Sequence, residues 1–326
     1  MKAKIWSLIP VFFLFLISAQ SQAPKENSPF KIVGYYSLKA AMTADLKKVP
    51  FKRFTHLNLW FLNPDTLGNF NQDYSALAPF VQAAHRKKVK VLASIGGGTQ
   101  QPYYEKLLQE NQRERFIQNL VSVVLRYNLD GVDVDLEGKD IGEDYEGFVV
   151  DLARALKAQD KLITAAIAVY YKDALTDKAL AQYDFVNIMS YDRTGPWRPE
   201  KPGPHATFTH AVQDLAYFGT ERAIPREKMT LGVPFYGYGY DLSLSSPAVS
   251  MNYRQIVATF PGAEWVDEWL MPDGKVIYYN GMPTIKQKAA LAKEKASGIM
   301  IWQVLGDDPG SKSLLKVINE VASGRK

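Results

Sequence analysis

Asp130-Gly131-Val132-Asp133-Val134-Asp135-Leu136-Glu137 is the stretch whose reading decides the fold. Val132, Val134 and Leu136 alternate with Asp133, Asp135 and Glu137, and this period of two predicts a strand over Gly131–Glu137. One face then carries three carboxyl groups spaced about 7 Å apart. If all three were ionised they would repel, so at least one should hold a proton near neutrality. A structural strand gains nothing from that arrangement, whereas acid catalysis needs a protonated carboxyl beside an ionised one. The competing reading, a solvated face on an edge strand, leaves the electrostatic cost unexplained. Asp130 is out of phase with the other three and reads as a turn residue before Gly131.

Outward from this strand, short apolar runs alternate with helical patterns. Lys31–Tyr36, Thr55–Phe61 and Val89–Ile95 read as the three preceding strands. Leu162–Ala168, Phe185–Tyr191, Met229–Phe235 and Gly298–Val304 read as the four that follow. Helices are predicted over Ser75–Lys87, Asn111–Tyr127, Tyr145–Lys157, Thr207–Phe218, Ile285–Lys295 and Ser311–Ala322. In the second of these Phe116, Ile117, Leu120, Val121 and Val124 form one stripe, and Asn111 with Glu114 resembles a capping box. Eight strands alternating with helices predict an α/β fold, a (β/α)8 TIM barrel of the usual ~250-residue size. A doubly wound open sheet would need a glycine-rich phosphate turn after its first strand, and none follows Lys31–Tyr36. In a barrel, chemistry sits at the C-terminal strand ends, where Glu137 closes the fourth strand. The stretch Tyr238–Thr284, between strands seven and eight, exceeds what a helix needs. It holds Trp265, Trp269, Tyr278 and Tyr279 and should form a small excursion walling one side of the cleft.

The chain has 326 residues, is 47% hydrophobic and contains no cysteine. Its first 23 residues have the layout of a secretory signal peptide: Lys2 and Lys4, an apolar run over Ile5–Ile17, then small and polar residues to Ala23. An uncleaved membrane anchor is the alternative, for which the run is short. Export to the periplasm or the medium is therefore expected, with no stable membrane insertion after cleavage and one domain over residues 24–326. Without disulfides such a protein relies on the size of its core. Removing Lys2 and Lys4 takes the formal charge from +5 to +3, and no basic block argues for nucleic acid. A neutral partner is expected, and 12% aromatic residues would suit stacking on apolar sugar faces.

The other strand ends agree. The sixth runs Asn187-Ile188-Met189-Ser190-Tyr191-Asp192 and is followed by Thr194-Gly195-Pro196-Trp197. The seventh ends Pro234-Phe235-Tyr236-Gly237, and the eighth carries Trp302-Gln303. Carboxyls facing tyrosines and a tryptophan floor describe a sugar site better than a metal site. His56, His85, His205 and His210 are scattered without metal-ligand spacing and read as structural, and neither a GxSxG elbow nor a cysteine competes as nucleophile.

DGVDVDLE resembles the DxxDxDxE signature of glycoside hydrolase family 18, the chitinases and endo-β-N-acetylglucosaminidases. Ser94-Ile95-Gly96-Gly97 resembles the family's SxGG, and MSYD with the following Gly-Pro-Trp, LGVPFYG and Trp302 fall where the family has theirs, so the resemblance spans residues 30 to 322. It implies a retaining, substrate-assisted glycosidase in which the N-acetyl carbonyl of the sugar attacks the anomeric carbon and gives an oxazolinium. By this resemblance Glu137 is the general acid and then the base, and Asp135 orients the acetamide. Asp133 shares a proton with Asp135, and Tyr191 hydrogen-bonds the acetamide, aided by Met189 and Asp192. Trp302 is the floor, and Tyr35, Phe61 and Tyr236 line the site. No cofactor and no metal are implied, and the partner is an N-acetylglucosamine-containing oligo- or polysaccharide acted on by a monomer. Two departures bear on the substrate: Gly98 stands where many chitinases have tryptophan, and Tyr238 where many have arginine. Chitin oligomers, the chitobiose core of N-glycans and peptidoglycan all remain open as substrates. A non-catalytic chitin-binding lectin is disfavoured because Glu137 is kept.

Overall fold

Seven strands follow one another with helical crossovers: β1 (Lys31–Ser37), β2 (His56–Trp60), β3 (Lys90–Gly96), β4 (Gly131–Asp135), β5 (Leu162–Ile167), β6 (Phe185–Ile188) and β7 (Met229–Pro234). Four short strands come next: β8 (Tyr236–Tyr240), β9 (Val249–Asn252), β10 (Glu268–Leu270) and β11 (Val276–Tyr278). β12 (Gly298–Trp302) is the last. These elements come from a computed structural model that describes residues 29–99, 101–242, 248–271 and 273–324. The segment read as a signal peptide lies outside the described residues. No helix among the described residues is long and apolar enough to cross a membrane.

β1 to β7 and β12 close into a parallel barrel in the order β1-β12-β7-β6-β5-β4-β3-β2, the predicted architecture. Such strands are covered on both faces, which is why Val91–Ile95 and Val132–Val134 are wholly buried. The outward positions meet the helices. Helix Tyr145–Lys157, predicted with these bounds, buries Phe148, Val149, Leu152 and Leu156 on one stripe, and helix Glu110–Arg126 does the same with Phe116, Leu120 and Val124. The lumen instead carries polar groups in one layer, Ser94, Asp133, Thr164, Asn187 and Thr230, all inaccessible to solvent.

Element ends differ from expectation where tertiary contacts decide them. Helix Glu110–Arg126 starts before Asn111, and its N-cap Gln109 makes no side-chain cap, so the expected capping box is absent there. β4 stops at Asp135 and not at Glu137. Its last pair with β3 is Gly96↔Asp135 and with β5 is Val134↔Ala165, so Leu136 and Glu137 have no partner strand. Glu137 nevertheless keeps an extended backbone (φ −130°, ψ 154°), which preserves the parity of the three carboxyls. β12 likewise ends at Trp302, before the turn Val304–Gly306. The excursion between β7 and β12 begins at Tyr236 and yields to helix Met282–Lys295. It is an antiparallel sheet in the order β10-β11-β8-β9 with helix Tyr253–Thr259 inside it.

Candidate active site

Asp133 lies at the centre of the polar layer. The register Ser94↔Asp133↔Thr164 sets β3 and β5 side chains on either side of it. Its Oδ2 accepts hydrogen bonds from Tyr35 OH at 2.6 Å and Ser94 Oγ at 2.9 Å. Its Oδ1 accepts from Thr164 Oγ1 at 2.6 Å and Asn187 Nδ2 at 3.2 Å. Thr230 Oγ1 donates to Asn187 Oδ1 at 2.8 Å and so holds that amide with its NH2 toward the carboxyl. Burial pushes the Asp133 pKa up, and the four donors oppose the shift by favouring the ionised form.

Two residues on, Asp135 has none of this help. It is 3% exposed, and its buried Oδ1 has no hydrogen-bond partner among the described residues. Burial raises its pKa well above the ordinary carboxylate value, and the charges of Glu137 and Asp133 raise it further. The neutral form of a carboxyl is favoured where donors are missing and like charges are near. Of the two, Asp135 is therefore pushed further toward its neutral form.

Glu137 is held by a residue from another element. Tyr171, in the turn Val169–Tyr171 that follows β5, donates its hydroxyl to Glu137 Oε2 at 2.8 Å. Burial raises the pKa of Glu137, the Tyr171 hydrogen bond lowers it, and the charges of Asp192 and Asp140 raise it, with a net upward shift.

Glycines bring these elements together. A Cβ on Gly96 (φ +99°) would stand 2.3 Å from the Asp135 carbonyl oxygen, and one on Gly97 (φ +99°) would stand 2.3 Å from the Phe61 ring. The two glycines let β3 turn tightly over the end of β4, where Gly97 N donates to Asp135 O at 2.7 Å.

The carboxyls open into a cavity of about 470 Å³ lined also by Phe61, Tyr170, Met189, Tyr191, Trp197 and Trp302. Trp302 is the floor. It stacks on Phe61 with centroids 5.8 Å apart, lies 5.4 Å from Trp60 and takes Tyr35 edge-on at 5.3 Å. Tyr191 is buried, with its hydroxyl 3.7 Å from Met300 Sδ. Asp192 adopts φ +62°, a conformation tolerated better by Asp than by most side chains. Its Oδ1 accepts from Tyr236 OH at 2.5 Å and Tyr238 OH at 3.1 Å, and lies 3.1 Å from His205 Nδ1.

Glu137, Asp135, Met189, Tyr191, Asp192, Phe61 and Trp302 all line this one cavity. Asp133 and Tyr35 lie beneath it, and Tyr236 reaches it through Asp192. Tyr238, noted in the sequence as a departure, shares the Asp192 carboxyl with Tyr236. Sequence reasoning did not find the roles of Tyr171, Tyr170, Arg193 and His205. Arg193 pairs with buried Asp214 and lies over the Tyr170 ring at 5.1 Å, and His205, expected to be structural, packs against Tyr236 and Tyr238. Only the aromatic pair Tyr170-Tyr171 just past a strand end offered a signal. Asp130 sits at the opposite end of β4, its carboxyl against His85, Lys90 and the Val91 amide.

The chain is similar to a family 18 chitinase from the chitin utilization locus of Flavobacterium johnsoniae, at 34% identity over 91% of this chain and 94% of that one, with a TM-score of 0.80. It is also similar to a chitinase from Bacteroides thetaiotaomicron, at 26% identity over 90% and 96% of the two chains, with a TM-score of 0.76. Among curated proteins, a chitinase-like effector of Moniliophthora roreri is 28% identical over 72% of this chain but only 65% of its own length, so the chain spans a little under two thirds of that relative. The model of glycosyl hydrolases family 18 matches residues 31–307, from the first residue of β1 past the end of β12. Because that match takes in the whole barrel and every strand end that feeds the cavity, the chain belongs to glycosyl hydrolases family 18.

Proposed function

We propose that this protein hydrolyses β-1,4-linked N-acetylglucosamine by a retaining, substrate-assisted mechanism. The observation that carries the proposal is the unequal treatment of the carboxyls: Asp133 has four donors, the buried Oδ1 of Asp135 has none among the described residues, and Glu137 faces the open cavity. An acetamide N–H needs an acceptor that can become anionic as positive charge develops on the oxazolinium, and Asp135 can pass its proton toward Asp133 as that happens. Glu137, its pKa raised by burial and nearby acids, protonates the glycosidic oxygen and later takes a proton from water. Trp302 offers an apolar face to the sugar ring, and Tyr191 offers a hydroxyl from the β6 side.

Wild-type protein should convert chitotetraose to shorter oligomers whose first-formed anomer retains the β configuration. A thiazoline mimic of the oxazolinium should inhibit it. Initial release of the α anomer, or indifference to the thiazoline, would argue against acetamide participation. Running an N-glycopeptide and peptidoglycan beside chitotetraose identifies the natural glycan. Export through residues 1–23 belongs to the same proposal and is read from the N-terminus of the secreted protein.

A further inference from the structure

The two oxygens of Glu137 have different surroundings. Oε2 accepts from Tyr171 OH at 2.8 Å. Oε1 accepts no hydrogen bond from the described residues and faces Gly98, where an added Cβ would lie 3.4 Å from Oε1 and 3.8 Å from Oε2. No side chain at position 98 stands between Oε1 and the cavity that both residues line.

We propose that Tyr171 is the positioning residue of the general acid, holding Oε2 so that Oε1 carries the transferable proton and delivers it across Gly98 to the leaving sugar. This rests on the hydrolase reading above. A hydroxyl that donates to Oε2 makes that oxygen the acceptor, so the acidic hydrogen of neutral Glu137 sits on Oε1. In the first step the Oε1–H bond breaks and its proton goes to the glycosidic oxygen. The bond from C1 to that oxygen breaks with its electron pair leaving on the oxygen, and the acetamide oxygen bonds to C1. In the second step the oxygen of a water bonds to C1, the bond from C1 to the acetamide oxygen breaks with its electron pair returning to the acetamide, and Oε1 takes a proton from that water. Negative charge grows on the carboxyl during the first step, and a fixed hydroxyl donor strengthens its bond as that happens.

The donor is itself restrained. Its neighbour Tyr170 donates to the Tyr191 carbonyl at 3.2 Å and lies under the Arg193 guanidinium, so the β5 turn is tied to β6. The groups facing Glu137 are Asp135 on β4, Asp140 in the turn after it, Tyr191 and Asp192 after β6 and Tyr171 after β5, and Arg193 and Arg198 line the same cavity. Three are acids, and Tyr171 is the group that donates a hydrogen bond to the carboxyl.

Tyr171→Phe should lower kcat on chitotetraose about tenfold. It should also move the basic limb of the kcat/KM–pH profile to higher pH, because the group that favoured ionised Glu137 is gone. Replacing Tyr171 with 3-fluorotyrosine, a stronger donor of nearly the same shape, should move that limb to lower pH and serves if the Phe variant folds poorly. Profiles that superimpose on wild type in both variants would overturn the proposal even if kcat falls, since a merely structural tyrosine would not move the limb. Wild-type protein that cleaves no N-acetylglucosamine oligomer would instead overturn the hydrolase reading, independently of Tyr171.

Discussion

The two ends of β4 carry aspartates in opposite situations. At the start, Asp130 is met by the Val91 amide at 2.8 Å, His85 Nε2 at 2.7 Å and Lys90 Nζ at 2.9 Å. Burial alone would raise its pKa, but these partners more than offset it and the net shift is downward. At the far end the buried Oδ1 of Asp135 has no hydrogen-bond partner among the described residues, and the pKa is pushed well upward. One strand thus separates a carboxyl whose partners favour its ionised form and support the fold from one whose surroundings disfavour that form, as expected for the stability and catalytic faces of a barrel.

The comparison can be broken most forcefully at Glu137. Glu137→Gln, which keeps the shape and the bond from Tyr171, should reduce kcat on chitotetraose by about a thousandfold while leaving oligosaccharide affinity within a few-fold. Turnover near wild type would remove Glu137 from the chemistry. Asp135→Asn should lower kcat by about a hundredfold, because an amide cannot become anionic opposite the oxazolinium.

The same variant sharpens the contrast through stability. Asp135 has a folded pKa above its unfolded one, so the stability linked to its proton is present at low pH and is lost as pH rises toward the folded value. Asp135→Asn removes that loss, and its melting temperature relative to wild type should climb as pH rises above the unfolded carboxylate pKa. Asp130→Ala should do the reverse. It leaves the Val91 amide and His85 without their acceptor and should cost about 1–2 kcal/mol at pH 7, with little contributed by half-exposed Lys90. The folded pKa of Asp130 is depressed, so its contribution is present above the unfolded carboxylate pKa and fades as pH falls through the folded value. Thermal melts of both variants across pH test the pair, and equal pH slopes would erase the distinction between the strand ends. The smallest effect is on the wild-type profile: the basic limb of kcat/KM should lie above the ordinary carboxylate range, since burial raises Glu137.

Much of the fold was legible because parallel barrel strands are near-continuous apolar runs and their crossover helices carry clear stripes, as in Tyr145–Lys157. Boundaries were less legible. β4 ends at Asp135 because its neighbours stop pairing there, which no property of Leu136 or Glu137 signals. Helix Glu110–Arg126 begins one residue before the apparent capping box because tertiary packing overrides local capping preference. The Asp192 cluster was half legible: Tyr236 and Tyr238 stand out as letters, but nothing in the sequence joins them to His205.

The sequence by itself determined that Asp133, Asp135 and Glu137 share one face of a strand and that Asp130 does not, because side-chain parity is a local property of extended backbone. It also determined that two glycines follow Ile95, where β3 must turn over β4. Which carboxyl is pushed furthest toward its neutral form, and which oxygen of Glu137 accepts no hydrogen bond from the described residues, only the tertiary structure decided. Those answers depend on Tyr35, Ser94, Thr164, Asn187 and Tyr171, which lie between 31 and 98 residues away from their partners. The closed barrel brings them to one point, and a carboxyl's pKa is set by the donors, charges and solvent exclusion at that point, not by its place in the chain.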